Sequence, residues 1–211
     1  MPIAIPNERP KLSTEGVLKI IRHFKIPEDH ALIVVGIRGY YLNAIGAAGQ
    51  NDRGVYDDAY FLYSRDHCQS FNANADPSSY RAGYGIGDAK GIASLKEQAH
   101  YMWKIDLHKG KYEALCQRLG TCTVIRDGIR GPYEQTSAYL GINNHKGGIT
   151  TTSSLGCQTI PPDQWDEYIN LAKAIMQKRH GSLTEEINGK KRYRDLMIPG
   201  CLIEEEHRRL L

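Results

Sequence analysis

The chain lacks both a long apolar run and a strong excess of charge. Its longest apolar stretch covers residues 31–37, far short of the roughly 20 residues that a membrane-spanning helix needs. The formal net charge is only +3, and the lysines and arginines are scattered along the sequence. We therefore expect neither membrane insertion nor a nucleic-acid partner.

Cysteine pairs of the kind that hold zinc or perform redox chemistry are also missing. The five cysteines are irregularly spaced, and none forms a C-x-x-C pair. A chain of 211 residues can bury a core without disulfides, and an odd cysteine number leaves at least one thiol free. No H-x-E or H-x-x-x-H pattern completes a zinc site around His145 and Cys157, so we expect no metal and no cofactor.

The first residues lack the features of a secretory signal. Residues 1–6 contain no basic start followed by an apolar core. We expect synthesis in a cytoplasm, with any action outside it following release from the cell or delivery, as in a virion.

Short apolar stretches separated by glycine-bearing polar segments predict a mainly β or α+β fold. Ser13 predicts the start of one helix, and the two prolines Pro161 and Pro162 predict the start of another. We divide the chain into an N-terminal arm and helix (1–29), a central domain (30–180) and a C-terminal tail packed on that domain (181–211). The strands are predicted over residues 32–37, 59–63, 121–125 and 139–142.

Three glycines at positions 83, 85 and 87 have the spacing of a phosphate-binding loop. A dinucleotide fingerprint needs a buried strand directly before it, and the residues there are polar. A surface loop is the favoured interpretation.

The densest chemical signal lies between His145 and Cys157. A predicted strand delivers the histidine, a hydroxyl-rich loop follows, and Gly156 directly precedes the cysteine. A thiol needs a base to take its proton before it can attack a carbonyl carbon, and an imidazole suits that task near neutral pH. Glycine before the cysteine allows a sharp bend and leaves the sulfur accessible. We predict that Cys157 is a nucleophile and His145 its base, although a buried, inert cysteine is the alternative.

The loop around this pair predicts supporting groups. The amides of Gly156 and Cys157 are candidates for binding an oxyanion. Ser153 and Ser154 are expected to hydrogen-bond the loop or the substrate. The other cysteines and histidines lie in no comparable motif.

These residues resemble the active-site signature of the L,D-transpeptidase catalytic domain. The resemblance rests on Ile142-Asn-Asn-His145, on Gly147-Gly148 and on Ser153-Ser-Leu-Gly-Cys157. The stretch through Trp165 is also similar to phage and prophage cell-wall enzymes. The resemblance implies an L,D-transpeptidase-like β-sandwich with a few peripheral helices. It also implies a thioester enzyme whose cysteine attacks the carbonyl of a diamino acid that precedes a D-amino acid, and hence a peptidoglycan partner.

The sequence departs from that signature in four respects. Lys146 interrupts the family's His-Gly pair, and the 12 positions from His145 to Cys157 form a shorter interval than usual. The other two departures lie beside the cysteine. Leu155 replaces a histidine of the family's Ser-His-Gly-Cys, and Gln158 stands where an apolar residue normally precedes an arginine. The cation that would meet a substrate carboxylate must then come from elsewhere, and Arg38 and Arg126 are the candidates. Asn143 and Gln158 complete the predicted substrate-binding groups.

The resulting expectation is a peptidoglycan stem-peptide hydrolase, an endolysin-like L,D-peptidase. A cross-linking L,D-transpeptidase remains an alternative. So does a non-catalytic phage tail or baseplate protein that keeps the fold and binds cell wall. A third alternative is another cysteine acyltransferase or amidase with an unrelated substrate.

Overall fold

The centre of the fold is a largely buried eight-stranded sheet. The structure is a computed structural model and describes residues 2–85 and 91–211. The helices are α1 (Thr14–His23), α2 (Pro162–His180) and the short α3 (Glu205–Arg208). The strands in chain order are β1 (Ile33–Arg38), β2 (Asp58–Ser64), β3 (His67–Ala73), β4 (Ala93–Leu95), β5 (Gln98–His108), β6 (Tyr112–Gln117), β7 (Cys122–Arg126), β8 (Tyr133–Ser137), β9 (Asn144–Lys146), β10 (Gln158–Ile160), β11 (Thr184–Ile187), β12 (Lys190–Tyr193) and β13 (Ile198–Glu204).

The large sheet has the order β10-β9-β6-β5-β13-β1-β2-β3. Its two edges meet, because Asn74, just after β3, and Thr159 of β10 exchange backbone hydrogen bonds of 2.8 Å in both directions. A three-stranded sheet, β4-β7-β8, and a β11-β12 hairpin accompany it. The curled sheet thus brings β10, which follows the candidate nucleophile, against the chain that leaves β3.

Helix α1 packs its apolar stripe against one face of the sheet. Ser13 Oγ accepts a hydrogen bond from Gly16 N at 3.1 Å and caps the helix. The buried side chains of Val17, Ile20 and Ile21 then join a cluster with β1, β2 and β13.

Helix α2 contributes to the second and larger hydrophobic cluster. Proline occupies its first turn, and Lys178, Arg179 and His180 lie in its last turn, where cations favour the helix dipole. Tyr168 packs edge-on against Phe71 of β3, with ring centroids 5.0 Å apart. Strands β4 and β7 supply side chains to the same cluster, so both sheets share one core.

The predicted class is confirmed: the molecule is mainly β, with about 35% strand and 16% helix. The strands predicted over 32–37, 59–63 and 121–125 appear as β1, β2 and β7, and both predicted helix starts are confirmed. The strand predicted over 139–142 is wrong. Gly141 adopts φ +71°, which interrupts an extended backbone, and Tyr139 is 96% exposed.

The C-terminal segment is more deeply integrated than its charge suggests. Residues 181–211 include β13, which lies inside the sheet between β5 and β1 and runs parallel to β1. Residues 83 and 85 lie in a loop, and residue 87 of the glycine motif is outside the described residues. Across the described ranges, no helix has the length and apolar character needed to span a bilayer.

Candidate active site

The pairing of β9 with β10 brings Cys157 and His145 to one face of the sheet. The strands are parallel, with Thr159 opposite His145, and Gln158 N donates to Asn143 O at 2.9 Å. Opposed residues share a face, and side chains alternate along each strand. Cys157 therefore lies beside Asn143, and the ring of His145 projects from the same face two residues further along.

A tight turn presents the thiol. Gly156 has φ +138°, and a Cβ atom there would collide with the carbonyl oxygen of Ala93, so only glycine fits. Ser154 Oγ donates to Cys157 O at 2.6 Å and accepts from Gly156 N at 3.0 Å. The Gly156 amide is thus committed to the turn. Within the described part of the chain, the Cys157 amide has no hydrogen-bond acceptor and remains available to an oxyanion.

Cys157 is a partly exposed residue, and its thiol is neutral at rest. Its Sγ donates to Gly141 O at 3.2 Å and accepts from Asn143 N at 3.4 Å. Burial raises the pKa of the Cys157 thiol, and the Asn143 amide and the charge of Lys109 oppose that effect.

The ring of His145 is held as a neutral base. Its Nδ1 donates to Lys146 O at 2.7 Å, so Nε2 carries the lone pair in the neutral form. The side chain is only 5% exposed. Burial, followed by the electrostatic effect of the neighbouring His108 ring, lowers the pKa of His145 to about 4. No hydrogen bond joins the ring to Cys157 Sγ among the described residues, so the resting pair is a thiol and a neutral imidazole rather than an ion pair.

The β5-β6 hairpin adds groups that the sequence alone does not reveal. The ring of His108 stacks on His145 at 4.3 Å between centroids, and Tyr112 Oη lies 3.5 Å from His145 Nδ1. Lys109, exposed at the turn, lowers the pKa values of His108, His145 and Cys157 by its charge. These residues carry no motif of their own, and only the pairing of β6 with β9 brings them to the site.

Asn143 belongs to the site, with its side chain engaged by the protein. Its Oδ1 accepts from Gln117 N at 2.9 Å, and its Nδ2 lies 3.0 Å from His108 Nδ1. It therefore supports the second imidazole rather than standing free for a substrate.

The two serines of the loop differ in role. Ser154 closes the turn through its hydroxyl, as described above. Ser153 is exposed, has φ +59° and donates from its amide to Thr151 Oγ1 at 3.3 Å. It lies on the outer part of the loop.

The remaining predicted binding residues have other surroundings. Gln158 is fully buried and, as the residue next to Cys157, points to the opposite face of the sheet. Arg38 is buried in ion pairs with Asp76 at 3.2 Å and Glu204 at 2.7 Å. Arg126 donates to Gln135 Oε1 and Gly91 O. Arg38 and Arg126 thus have partners within the protein, and Gln158 lies on the face opposite Cys157. Lys109 is a cation whose charge acts on the thiol.

In the ranges 2–85 and 91–211, no group of three or more histidine, cysteine or acidic side chains is arranged to hold a metal ion. Comparison with known proteins adds no relative to this picture: no family model, no curated protein and no solved structure matches the chain.

Proposed function

We propose that this chain is a cysteine peptidase of the L,D-transpeptidase type that hydrolyses stem peptides of bacterial peptidoglycan through a thioester. One observation carries the proposal. The thiol of Cys157, a partly exposed residue directly before β10, lies on the same face of the sheet as the imidazole of His145 on the adjacent parallel strand β9, and Nε2 of that imidazole is unprotonated. The substrate class comes from the resemblance of residues 142–157 to that family.

In the proposed reaction, Cys157 first rotates about its Cα–Cβ bond, away from Gly141 O and toward His145. Nε2 takes the thiol proton as Sγ attacks the carbonyl carbon. The oxygen of the tetrahedral intermediate accepts a hydrogen bond from the Cys157 amide. The carbon–nitrogen bond then breaks, and the leaving amine takes the proton from His145.

The second half of the reaction reverses the roles. Water attacks the thioester while His145 Nε2 accepts its proton, and the carbon–sulfur bond breaks to release the acid. The proton returns to the sulfur, so the enzyme ends as it began. Because both groups are neutral at rest, the proton moves during attack and no preformed thiolate is needed.

Lys109 supplies the cation that the sequence motif lacks. It follows His108 directly, and its ammonium acts electrostatically on the thiol and on both imidazoles. A substrate carboxylate near the scissile bond would gain a charge-assisted contact there. Stem peptides carry such carboxylates on their diamino acid and D-amino acid residues.

A wall-binding protein without catalysis is the second candidate. It is favoured by one observation: the thiol donates to Gly141 O, and no hydrogen bond joins it to His145 in the described residues. A protein of this kind would hold stem peptide on the same surface and leave it intact.

The test is digestion of purified sacculi by the wild-type protein, Cys157→Ala and His145→Ala. Cys68→Ala is the matched control, because Cys68 is also a partly exposed free thiol. We expect soluble stem-peptide fragments from the wild type and the control, none from Cys157→Ala, and a loss on the order of 10²- to 10⁴-fold for His145→Ala.

Other outcomes select the alternatives. Equal fragment release by all four proteins would remove the catalytic assignment. Sedimentation with sacculi but no release by any of them would favour the binding protein. An increase in cross-linked dimers would favour transpeptidation over hydrolysis.

A further inference from the structure

The amide of Asn143 fixes the protonation form of His108. The backbone N–H of Gln117 can only donate, so the atom of Asn143 that faces it at 2.9 Å is Oδ1. The other end of the amide is therefore Nδ2, which can only donate, and it lies 3.0 Å from His108 Nδ1. His108 Nδ1 must accept, which places the proton of the neutral ring on Nε2.

The same contact opposes protonation of His108. An imidazolium carries a hydrogen on both nitrogens, and a hydrogen on Nδ1 would point at the Asn143 amide hydrogens. His108 is only 6% exposed, and burial together with the cations Lys109 and Arg118 lowers its pKa.

The two stacked rings thus hold complementary tautomers. His145 has its proton on Nδ1, toward Lys146 O, and His108 has its proton on Nε2. Within the described ranges, the charges that act on the two rings include Lys109 and Arg118, and Tyr112 and Cys157 lie beside them. Arg118 is itself paired with Asp106 at 3.1 Å. In the described residues, neither ring contacts a carboxylate that would favour its protonated form.

We infer that His108 is a positioning residue, locked by Asn143 as the neutral Nε2–H tautomer, so that of the two stacked imidazoles His145 alone accepts the proton of Cys157. The part of this inference that concerns proton acceptance rests on the proposed function. Stacking on His108 holds the plane of the His145 ring. The hydrogen bond from Asn143 Nδ2 keeps His108 neutral, and this matters because a positive charge on His108 would weaken His145 as a base. The tautomers themselves depend only on the hydrogen bonds described above.

Imidazole nitrogen NMR spectra across a pH titration test the tautomers without any substrate. In the wild type we expect an Nε2–H tautomer for His108, an Nδ1–H tautomer for His145, and neither ring titrating near the unperturbed value of about 6.5. An Nδ1–H tautomer for His108, or its titration near that value, would overturn the inference.

Asn143→Asp is the decisive variant. An aspartate keeps an acceptor for Gln117 N but offers His108 Nδ1 an acceptor in place of a donor. We expect His108 to titrate more than about one pH unit higher than in the wild type, because a carboxylate favours the protonated ring. Unchanged His108 tautomer and titration in this variant would contradict the lock.

His108→Phe is the companion variant, since it keeps a stacked ring and removes the second titrating group. We expect His145 in it to retain the Nδ1–H tautomer, and loss of that tautomer would contradict independent control by Lys146 O. If Asn143→Asp fails to fold, the spectra of the wild type and of His108→Phe still show which tautomers His108 and His145 adopt. If the spectra show the predicted tautomers but the protein does not digest sacculi, the proposed function is contradicted. The assignment of the His108 tautomer by Asn143 is then still supported.

Discussion

At the scale of single residues, burial decides the resting state of the reacting pair. His145 is nearly enclosed, and its pKa falls to about 4, so the base is already deprotonated at neutral pH. The thiol's pKa is raised by the same physical cause, the cost of placing charge in a poorly solvated site. Lys109 is the exposed cation that partly offsets this cost for the thiolate.

Lys109→Gln should therefore affect both the thiol and the substrate. Without the ammonium, the pKa of Cys157 rises further, and alkylation of its thiol by iodoacetamide at pH 8 should slow about threefold to tenfold. The KM for stem peptide should rise by a similar factor, because a charge-assisted contact is lost. Mass spectrometry of the labelled Cys157 peptide and steady-state kinetics provide the two measurements.

Two matched variants separate charge from shape. Lys109→Arg keeps the positive charge and should retain most of the alkylation rate of Cys157 and of the affinity for stem peptide. Lys111→Gln should behave as wild type, because Lys111 is exposed on the other side of Gly110. A Lys109→Gln protein with unchanged alkylation rate and unchanged KM would exclude Lys109 from the site.

At the scale of secondary structure, the turn that carries Cys157 is held from outside by the chain that follows β3. Ser78 N donates to Ser154 O at 2.9 Å, and Ser78 Oγ accepts from Ser154 N at 2.8 Å. The same hydroxyl lies 2.8 Å from Thr152 Oγ1. Since Ser154 in turn bonds Gly156 and Cys157, Ser78 fixes the turn by way of Ser154.

Ser78→Ala removes the side-chain part of this clamp. We expect kcat to fall about tenfold, because the thiol is less well positioned, while the free energy of unfolding falls by only about 0.5–1.5 kcal/mol. Ser79→Ala is the control, because its side chain is exposed and makes no hydrogen bond among the described residues. The comparison needs sacculus digestion rates and urea unfolding curves for the three proteins. A loss of kcat in Ser79→Ala equal to that in Ser78→Ala would show that the clamp is not specific.

The sequence predicted the local features of this site and missed those that depend on pairing. Gly156 before Cys157, with serines around them, signals a bend because the cause lies in neighbouring residues. His108 and Lys109 lie far from Cys157 in the chain, and nothing local marks them. Strand β13 was hidden for a related reason: its short apolar run is flanked by charged residues, and its burial comes from partners at the start and middle of the chain.

At the scale of the whole molecule, a buried group of carboxylates joins β1, β2 and the chain that leads to Ser78. Asp58 Oδ1 accepts from Gly39 N and its Oδ2 from Ala75 N, and Asp76 pairs with Arg38. Burial raises the pKa of Asp58, and it raises the pKa of Asp57 to about 7. Both side chains are fully buried, so the cost of ionising them falls on the folded state.

This group predicts how stability changes with pH. Asp57 has a higher pKa in the folded protein than its usual 3.8, so the folded state holds a proton that the unfolded chain releases. Below about pH 4, Asp57 is protonated in both states and its ionisation does not change the free energy of unfolding. As the pH rises toward and through 7, the free energy of unfolding falls progressively. Asp57→Asn removes this loss of stability, because an asparagine does not ionise. Asp52 N donates a hydrogen bond to Asp57 Oδ2 at 2.8 Å, and the amide oxygen of an asparagine can accept the same bond.

We therefore expect Asp57→Asn to gain stability over the wild type on going from pH 5 to pH 8, by on the order of 1–3 kcal/mol. Urea unfolding at the two pH values measures the difference. Asp66→Asn is the control, since Asp66 is exposed and its hydrogen bond with Lys178 lowers the pKa of its carboxyl, so it should gain nothing at pH 8. If the advantage of Asp57→Asn were equal at both pH values, the buried carboxyl would have to be ionised throughout, and the carboxylates that anchor the Ser78 segment would not be a source of pH dependence.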